Sequence, residues 1–474
     1  MSFAEPRQRS ILRDWVDRSL AEGLSEARSR GAAVIHVSTR KIDCELPLGV
    51  FDSSLEDAQF FGGPERAVLG MGAAKSFELA PPKRMGGRAR RSLLGLGAVS
   101  AADSSKVMVI GGWGFPSSPG QAEKGAWSDF PPSRWVIPAL TFTSSGRETH
   151  ITLVARVRPS SEPAPLRAVY RALIRGLEAR AAEEGGAPED ALPSLKTARS
   201  IPSGKRWVSL AREAIESISR DELKKVVLSR AVSLTFNARV PASAVLKRLI
   251  ALNPDSTVFA IKRRGSVFLG ATPESLLSLK RGKVEVDCLA ASSPRTSDKA
   301  DDDALGARLL RDPKSGREHE FVVQAAVSAL SPISSRVEVP GAPVLKRLTT
   351  IQHLYTPVKA TLLDGEGVWA AAMALWPTPA IGGVPREAAV RWIRRSEIAR
   401  RGWYSGVVGL LNARQSEADL VVGIRSGVIK GRQAVLYAGA GLVEGSEPRD
   451  ELEETSWKLR TMSRALGIDA DRGG

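Results

Sequence analysis

The stretch that most strongly indicates the fold is Leu436-Tyr-Ala-Gly-Ala-Gly-Leu-Val443, near the end of a 474-residue chain. Its apolar residues predict a strand over Ala434–Val443, in which Gly439-Ala440-Gly441 leaves two positions without side chains. Glycine inside a strand often marks a place where another group approaches the backbone closely. The strand leads almost directly into a predicted helix at about Pro448–Leu466, so we expect the two elements to share a site.

That terminal helix has one apolar side and one charged border. Ser446 suits its N-cap and Pro448 its first turn. Its apolar stripe is Leu452, Thr455, Leu459, Met462 and Leu466. By helical spacing, Glu451, Glu454 and Lys458 fall together along one border of that stripe. Helix statistics favour a solvated Glu–Lys face, but the bare strand before it suits a carboxylated ligand beside a hard cation such as Mg²⁺.

Short strands with helices between them recur along the rest of the chain. Helical patterns occupy Ser10–Arg28, Leu166–Ala182, Trp207–Ile218, Asp302–Leu310 and Glu318–Leu330, the last two separated by Pro313. Strand-like runs are Ala33–Ser38, Lys106–Gly111, Thr149–Ala155, Lys225–Phe236, Val258–Lys262, Val267–Gly270, Val284–Leu289, Gly406–Leu411 and Leu420–Ile429. Because helices and strands do not alternate regularly, the pattern predicts an α+β fold rather than a doubly wound sheet. Residues 183–204, rich in Gly and Pro, are the best candidate for a linker or long surface loop.

The net charge of +16 raises the question of nucleic-acid binding. Basic residues cluster at Lys83-Arg84 and Arg88-Ala-Arg90-Arg91, but no aromatic residues interleave them. No helix-turn-helix, zinc-finger or RRM pattern accompanies them. A solvated basic loop and no nucleic-acid partner are therefore favoured, while a non-catalytic binding protein that uses the basic surface stays as an alternative.

The composition also bears on location. The longest apolar stretch, Val368–Trp376, is far shorter than a helix that spans a bilayer. The first residues lack the basic-then-apolar order of a signal peptide. Cys44 and Cys288 are too few for a disulfide framework or a cysteine-rich zinc site. These features predict a cytoplasmic protein without membrane association.

Several other ionisable residues could carry chemistry. Glu318 follows Ser315 at the spacing of a capping box, which is the commoner use of this pattern, with metal binding as the alternative. Lys225 opens a strand on its small, polar side and is either a surface charge or a base that points into a cavity. Glu274 lies in a turn after an apolar strand, where catalytic groups also occur. For His353, one of four histidines, a hydrogen-bonded structural role is the default.

These segments, taken in order, resemble the chorismate-utilising enzymes, and among them the isochorismate synthases most. The matching text is Lys225-Val-Val-Leu-Ser-Arg230, Phe268-Leu-Gly-Ala-Thr-Pro-Glu-Ser-Leu-Leu277, Arg317-Glu-His319, His353-Leu, Pro377-Thr-Pro-Ala-Ile-Gly-Gly383, Trp403-Tyr-Ser-Gly-Val-Val-Gly409, Gly423-Ile-Arg425, Tyr437-Ala-Gly-Ala-Gly441 and Glu451-x-x-Glu454-Thr455-x-x-Lys458. The resemblance implies one large α+β domain of mostly antiparallel sheets packed face to face, with helices outside. Residues 205–468 would be its chorismate-binding core, and 1–200 a less typical N-terminal part of the same fold.

The resemblance also implies a reaction and its proton carriers. Lys225 would be the general base that activates water for attack at carbon 2 of chorismate, and Glu274 the general acid that protonates the departing 4-hydroxyl. Such a pair is needed because water is a weak nucleophile and hydroxide a poor leaving group. Glu318 and Glu454 would bind Mg²⁺ directly and Glu451 through water. The ion would orient the substrate carboxylate.

Other residues would bind the substrate itself. By the same resemblance, Arg425, Lys458 and Tyr404 would bind carboxylates together with the backbone of Gly439, Ala440 and Gly441. Tyr437, Ile424, Ser292, His353 and Ala380 complete the expected substrate site. Chorismate would be the only partner, with no amidotransferase subunit.

Position 380 bears on the product. Ala380 after Pro-Thr-Pro is typical of enzymes that stop at isochorismate, for menaquinone or siderophore synthesis. A salicylate synthase, which adds pyruvate elimination, and an aminating enzyme remain alternatives. The chain departs from the family pattern at Ser315, usually acidic, at Trp376, usually His, and at Ala291, usually Gly.

Overall fold

The computed structural model of the protein describes most of the chain. The described residues are 6–42, 44–63, 66–78, 106–116, 125–146, 148–183, 191–348 and 351–468. The basic clusters Lys83-Arg84 and Arg88–Arg91, which the sequence suggests form a solvated loop, lie outside these residues.

The helices of the described residues alternate irregularly with strands. They are α1 (Pro6–Arg30), α2 (Pro163–Glu183), α3 (Gly204–Ser219), α4 (Ala242–Leu252), α5 (Lys299–Arg311), α6 (Pro313–Leu330), α7 (Val368–Leu375), α8 (Arg386–Ser396) and α9 (Pro448–Ala465). The strands are β1 (Val34–Ile42), β2 (Asp57–Gly62), β3 (Arg66–Met71), β4 (Lys75–Phe77), β5 (Met108–Trp113), β6 (Ser133–Ile137), β7 (Leu140–Ser145), β8 (Glu148–Val157), β9 (Leu195–Ile201), β10 (Lys225–Phe236), β11 (Thr257–Arg263), β12 (Ser266–Thr272), β13 (Ser275–Lys280), β14 (Lys283–Pro294), β15 (Ser334–Glu338), β16 (Val344–Arg347), β17 (Ile351–Leu362), β18 (Gly383–Val384), β19 (Val407–Asn412), β20 (Glu417–Val422), β21 (Ser426–Lys430) and β22 (Gln433–Leu442).

The strands form two large antiparallel sheets. The first follows the order β1-β8-β7-β3-β2-β11-β12-β21-β22-β10-β18, with β9 also paired to β10. The second follows the order β15-β17-β14-β13-β20-β19-β5-β6-β4, with β16 also paired to β17. Strands from both halves of the chain alternate within each sheet. The α+β prediction is therefore confirmed.

The two sheets pack face to face because alternate residues of each strand point to opposite sides. Phe259 and Ile261 of β11 belong to a buried cluster that also contains Val408 and Leu410 of β19, which lies in the second sheet. On the other side of β11, Ala260 joins a cluster with residues of α1, α2, α4 and α9. Residues of α6 and α7 cover the second sheet in the same way, whereas α8 packs against β10 and β18 of the first sheet. Helices therefore lie outside the sheets, as the resemblance implied.

Strand β10, which begins with Lys225, pairs with other strands along both of its edges. One edge pairs with β22 from Val226↔Leu442 to Thr235↔Gln433. The other edge pairs with β18 and with β9. Residues 195–201 are thus a strand of the first sheet rather than part of a linker, because their backbone groups hydrogen-bond to β10.

Three local predictions are wrong in detail. Helix α9 is capped by Glu447, not Ser446, because the Ser446 hydroxyl instead donates to Glu451 Oε1 at 2.8 Å. Helix α6 begins at Pro313 and is capped by Asp312, so Ser315 and Glu318 do not form a capping box. The predicted strand Leu420–Ile429 is two strands, β20 and β21, because the backbone turns at Arg425, where φ is +50°.

A buried arginine ties α9 to the first sheet. Arg230 of β10 donates from Nε to Thr455 Oγ1 at 2.6 Å and from Nη2 to Ser456 Oγ at 2.7 Å, both on α9. Its Nη1 donates to Ser200 Oγ of β9 at 3.2 Å. Burial lowers the pKa of the Arg230 guanidinium, so these hydroxyl groups compensate part of the lost hydration. We expect the position of α9 on the first sheet to depend on this contact.

Replacing Thr455 with valine tests that dependence. The variant leaves the buried Arg230 Nε–H without its acceptor, so we expect the free energy of unfolding to fall by about 1.5–3 kcal/mol. Denaturant titration measures this change. As a control, Ser463→Ala removes a hydroxyl that bonds to Leu459 O of its own helix and should cost less than about 0.5 kcal/mol. Equal effects of the two changes would contradict the assigned role of Arg230.

Candidate active site

Lys225 lies at the start of β10, beside the bare part of β22. Gly441 is paired with Val227, and a Cβ added to Gly441 would lie 3.0 Å from Lys225 Cε and 3.5 Å from its Nζ. That approach is tighter than an ordinary van der Waals contact. The expectation that another group approaches this glycine is therefore confirmed, and the group is the side chain of Lys225.

The surroundings of Lys225 place it in a cleft with several carboxylates. Burial lowers the pKa of its amine, and the carboxylates of Glu274, Glu318 and Glu454 oppose this shift. The ammonium of Lys458 adds to the lowering. A desolvated lysine loses its proton more easily than one at the surface, as a general base requires.

Glu274 lies where the chain passes from the first sheet to the second, between β12 and β13. Its carbonyl accepts from Val422 N at 3.0 Å, and its carboxylate Oε1 accepts from Thr378 Oγ1 at 3.3 Å. Burial raises the pKa of Glu274, while the Thr378 hydrogen bond and the charge of Lys225 oppose the rise. A carboxyl group that keeps its proton to higher pH suits a general acid.

The acidic border of α9 faces the same cleft. Lys458 Nζ lies 2.5 Å from Glu454 Oε1 and donates to Gly439 O of β22 at 2.9 Å. Burial raises the pKa of Glu451, and the negative charge of Glu454 raises it further, while the Ser446 hydroxyl opposes these effects. The carboxylates of Glu451 and Glu454 are therefore neighbours.

The predicted metal ligands are only partly brought together. Glu318 is exposed on α6, and its negative charge raises the pKa of Lys225. Within the described residues, no group of three or more His, Cys, Asp or Glu stands close enough to hold a metal ion. The set Glu318, Glu451 and Glu454 is thus not preassembled, since like charges repel and the Lys458 ammonium is bonded to Glu454.

Arg425 adds a guanidinium to the charged groups of the cleft. Burial lowers the pKa of its guanidinium, and the charges of Glu454 and Glu274 and the Tyr404 hydroxyl oppose this shift. Its φ of +50° is uncommon for a residue with a side chain, and such strain persists where the surrounding structure enforces it. The turn between β20 and β21 therefore directs a guanidinium into the site.

Two tyrosines form one side of the cleft. The rings of Tyr404 and Tyr437 stack with centroids 5.3 Å apart and an interplanar angle of 20°. Burial raises the pKa of Tyr404 to about 12, so its hydroxyl stays protonated and can donate. A Cβ at Gly439 would lie 3.2 Å from that hydroxyl, which explains the second glycine of the strand. The side chain of Ala440 is buried in the core instead, so only its backbone is available to a ligand.

The remaining predicted substrate residues lie on other segments of the fold. Ser292 Oγ and His353 Nδ1 are 2.8 Å apart at a bulge between β14 and β17, and burial lowers the pKa of His353. Ile424 is partly buried and packs against the core, whereas Ala380 is exposed in the turn before β18. Thr378 is not among the residues for which the sequence predicts a role, although it belongs to the Pro377-Thr-Pro motif.

The structure accommodates the departures from the family pattern. Trp376 is buried, packs edge-on against Trp113 at 5.8 Å and donates from Nε1 to Ser405 O at 3.0 Å. Ser315 donates from its hydroxyl and its backbone N–H to the capping carboxylate of Asp312. Ala291 has φ +53° at the bulge, a conformation that glycine adopts without steric cost. That geometry is the physical reason for expecting glycine there.

The fold and the buried ionisable groups Lys225 and Glu274 are features of an enzyme. Residues 22–467 match the family model described as Chorismate binding enzyme. The chain belongs to this family. In the stretches that the structure describes, no helix has the length and apolar character needed to cross a bilayer.

Individual relatives cover most of the chain. The chain is 36% identical over 356 residues to Isochorismate synthase MenF of Bacillus subtilis, a match that covers 75% of this chain and 74% of the relative. It is 30% identical over 446 residues to the Salicylate biosynthesis isochorismate synthase of Pseudomonas aeruginosa, covering 94% and 92%. The solved menaquinone-specific isochorismate synthase MenF from Escherichia coli has the same fold, with a TM-score of 0.77 and 23% identity over 95% of this chain and 99% of that one.

Replacing Ala291 with glycine should stabilise the protein. Ala291→Gly removes a left-handed strain of about 1–2 kcal/mol but adds backbone freedom to the unfolded chain, so we expect a net gain of up to about 1 kcal/mol. The neighbouring control Ala290→Gly, whose φ is not positive, should lose about 0.5–1 kcal/mol instead. Thermal denaturation measures both. A loss of stability in both variants would show that φ at position 291 carries no strain.

Proposed function

We propose that the protein converts chorismate to isochorismate. The observation that carries this proposal is the pair Lys225 and Glu274, which lie in one desolvated cleft with their pKa values shifted in opposite directions. Groups whose environments move their pKa values in this way are the usual proton carriers of an active site. The names of relatives that cover 75% and 94% of the chain support the same reaction.

Each proton that moves in this reaction has a donor and an acceptor. Neutral Lys225 takes a proton from water as the water oxygen bonds to carbon 2 of the ring. The double bonds shift, the bond from carbon 4 to its hydroxyl breaks, and Glu274 gives its proton to the hydroxyl, which leaves as water. One water enters and one leaves, so the product is an isomer. Lys225 and Glu274 then return to their starting protonation states by exchange with solvent.

Substrate binding is assigned to the cations around this pair. Chorismate carries two carboxylates, and Arg425 and Lys458 are the positive groups that act on Lys225 or Glu274 across the cleft. The Tyr404 hydroxyl and the backbone at Gly439–Gly441 supply neutral donors. Displacing Lys458 from Glu454 would free that carboxylate for another role.

That other role is binding of Mg²⁺, which we assign to Glu318 and Glu454 directly and to Glu451 through water. Carboxylate oxygens are the ligands that this hard cation prefers. The Glu451 pKa, raised by burial and by the charge of Glu454, indicates a crowded negative site that a divalent cation would relieve. When bound, the ion would neutralise and orient the ring carboxylate of the substrate.

The route in which the product is used belongs to the same proposal. One relative is named for salicylate biosynthesis, the solved MenF of Escherichia coli is described as menaquinone-specific, and EntC of Escherichia coli is also an isochorismate synthase. We assign the chain to a cytoplasmic route of one of these kinds, with chorismate as its partner and without an amidotransferase subunit.

Incubation of the purified protein with chorismate, with and without Mg²⁺, followed by separation of the products tests this function. Isochorismate should form only with Mg²⁺. Lys225→Ala and Glu274→Gln should each abolish turnover, whereas the exposed neighbour Lys224→Ala should behave like the unmodified protein. Salicylate with pyruvate as the main products would replace the proposal with a salicylate synthase, and turnover only with ammonia would indicate an aminating enzyme.

The Thr378 hydrogen bond gives a prediction for the pH profile. This bond favours the ionised form of Glu274, so Thr378→Val should raise the pKa of Glu274 further. The limb of the kcat/KM profile that reports Glu274 should then move to higher pH, while the limb of Lys225 stays in place. Thr378→Ser keeps the hydroxyl and should keep the original profile. An unchanged profile in the valine variant would separate Thr378 from the acid.

A further inference from the structure

One edge of β10 lacks a strand partner at the point nearest the base. On this edge the described residues pair Lys225 and Val226 with β18, and the ladder resumes only at Ala231, which pairs with β9. Val227 N still donates to Gly382 O at 2.9 Å, just before β18. The polar backbone groups that follow are buried, and such groups need partners.

The side chains of Glu397 and Arg401, which follow α8, fill this gap. Arg401 Nη2 donates to Val227 O at 2.8 Å, and Glu397 Oε1 accepts from Ser229 N at 2.7 Å. The two side chains also bind each other, from Arg401 Nε to Glu397 Oε2 at 2.8 Å and from Nη2 to Oε1 at 2.6 Å. The ion pair takes the place of a strand, with Arg401 as donor and Glu397 as acceptor.

The same arginine binds the turn that carries Thr378. Arg401 Nη1 donates to Ile381 O at 2.6 Å, and Ile381 N in turn donates to Thr378 O at 3.2 Å. The guanidinium also lies 4.2 Å from the ring centroid of Phe115, a cation–π contact that supports its buried position. One ion pair is therefore bonded both to the strand of Lys225 and to the turn whose threonine contacts Glu274.

The burial of this pair argues for a geometric role. Its side chains are only 2% and 4% exposed, so both charges have lost nearly all their hydration. Buried ion pairs often contribute no more stability than apolar residues of similar volume, because desolvation offsets the attraction. What they provide is a defined arrangement, here with directed bonds to Val227, Ser229 and Ile381.

We propose that Glu397 and Arg401 are positioning residues that hold the base Lys225 in register with the turn of Thr378 and thereby with the acid Glu274. This inference rests on the proposed function. Neither residue belongs to the set expected to touch chorismate or Mg²⁺. Their effect passes through the backbone of β10 and of the 377–383 turn.

Glu397→Gln and Arg401→Lys test the proposal. Glutamine keeps an acceptor for Ser229 N but loses the charge that binds Arg401, and lysine cannot direct bonds to Val227, Ile381 and Glu397 together. We expect kcat for chorismate to fall on the order of 100-fold in each variant with KM little changed, because misplacement of reacting groups lowers the rate of the chemical step. The double variant should lose about as much as each single one, because the pair acts as a unit.

A control separates positioning from general loss of structure. Arg134 of β6 and Asp57 of β2 form another largely buried ion pair, with side chains 15% and 12% exposed. Arg134→Lys should lower the unfolding temperature but leave kcat unchanged. Amide hydrogen exchange of residues 226–230 and 377–383 should speed up in the Glu397 and Arg401 variants and not in the control.

The outcomes are distinct. Unchanged kcat in both variants would overturn the positioning role. The role would also be overturned if the Arg134→Lys control, at an equal loss of stability, lost as much kcat as the Glu397 and Arg401 variants. An unmodified protein that does not turn over chorismate would overturn the proposed function instead. In that case the exchange measurement still decides whether the ion pair holds β10 and the turn in place, and unchanged exchange would refute it.

Discussion

The antiparallel pairing of β10 with β22 is the constraint on which the rest of the site depends. It sets Val227 opposite Gly441 and Ser229 opposite Gly439, so that side chains absent from one strand leave room for groups from elsewhere. Lys225 uses the space at Gly441 and Tyr404 the space at Gly439. Because side chains alternate along a strand, a one-residue slip would put Ala440 in their place and close the cleft.

The electrostatic character of the cleft follows from burial opposed by nearby charge. Burial shifts the pKa values of Lys225, Glu274 and Arg425 in the direction that favours their neutral forms. In each case nearby opposite charges oppose part of that shift. Because burial and nearby charge oppose each other, an acid and a base can lie close together without forming a permanent ion pair. The acidic border of α9 adds negative charge from one side. Arg230 binds this helix through the hydroxyl groups of Thr455 and Ser456 rather than through a carboxylate.

The sequence predicts much of the fold, but the features that it does not predict lie at or beside the site. The irregular order of helices and strands indicated α+β, and the stripe containing Thr455, Leu459 and Met462 is buried as predicted. The break of Leu420–Ile429 at Arg425 was not predicted, although Gly423 and Arg425-Ser-Gly427 interrupt its apolar residues, since a positive φ at an arginine has no signal of its own in the sequence. Residues 195–201 belong to the Gly- and Pro-rich stretch 183–204 that suggests a linker, and only their pairing with β10 makes them a strand.

By itself, the sequence determined which residue types could perform the chemistry, because the ordered motifs around Lys225, Glu274 and Glu454 are local patterns. It also determined the bare strand and the amphipathic helix, since both follow from short-range periodicity. Only the tertiary structure decided that the space at Gly441 belongs to Lys225 and that Glu397 and Arg401 complete the edge of β10. These contacts join residues far apart in the chain, and their energies depend on burial, which no local pattern specifies.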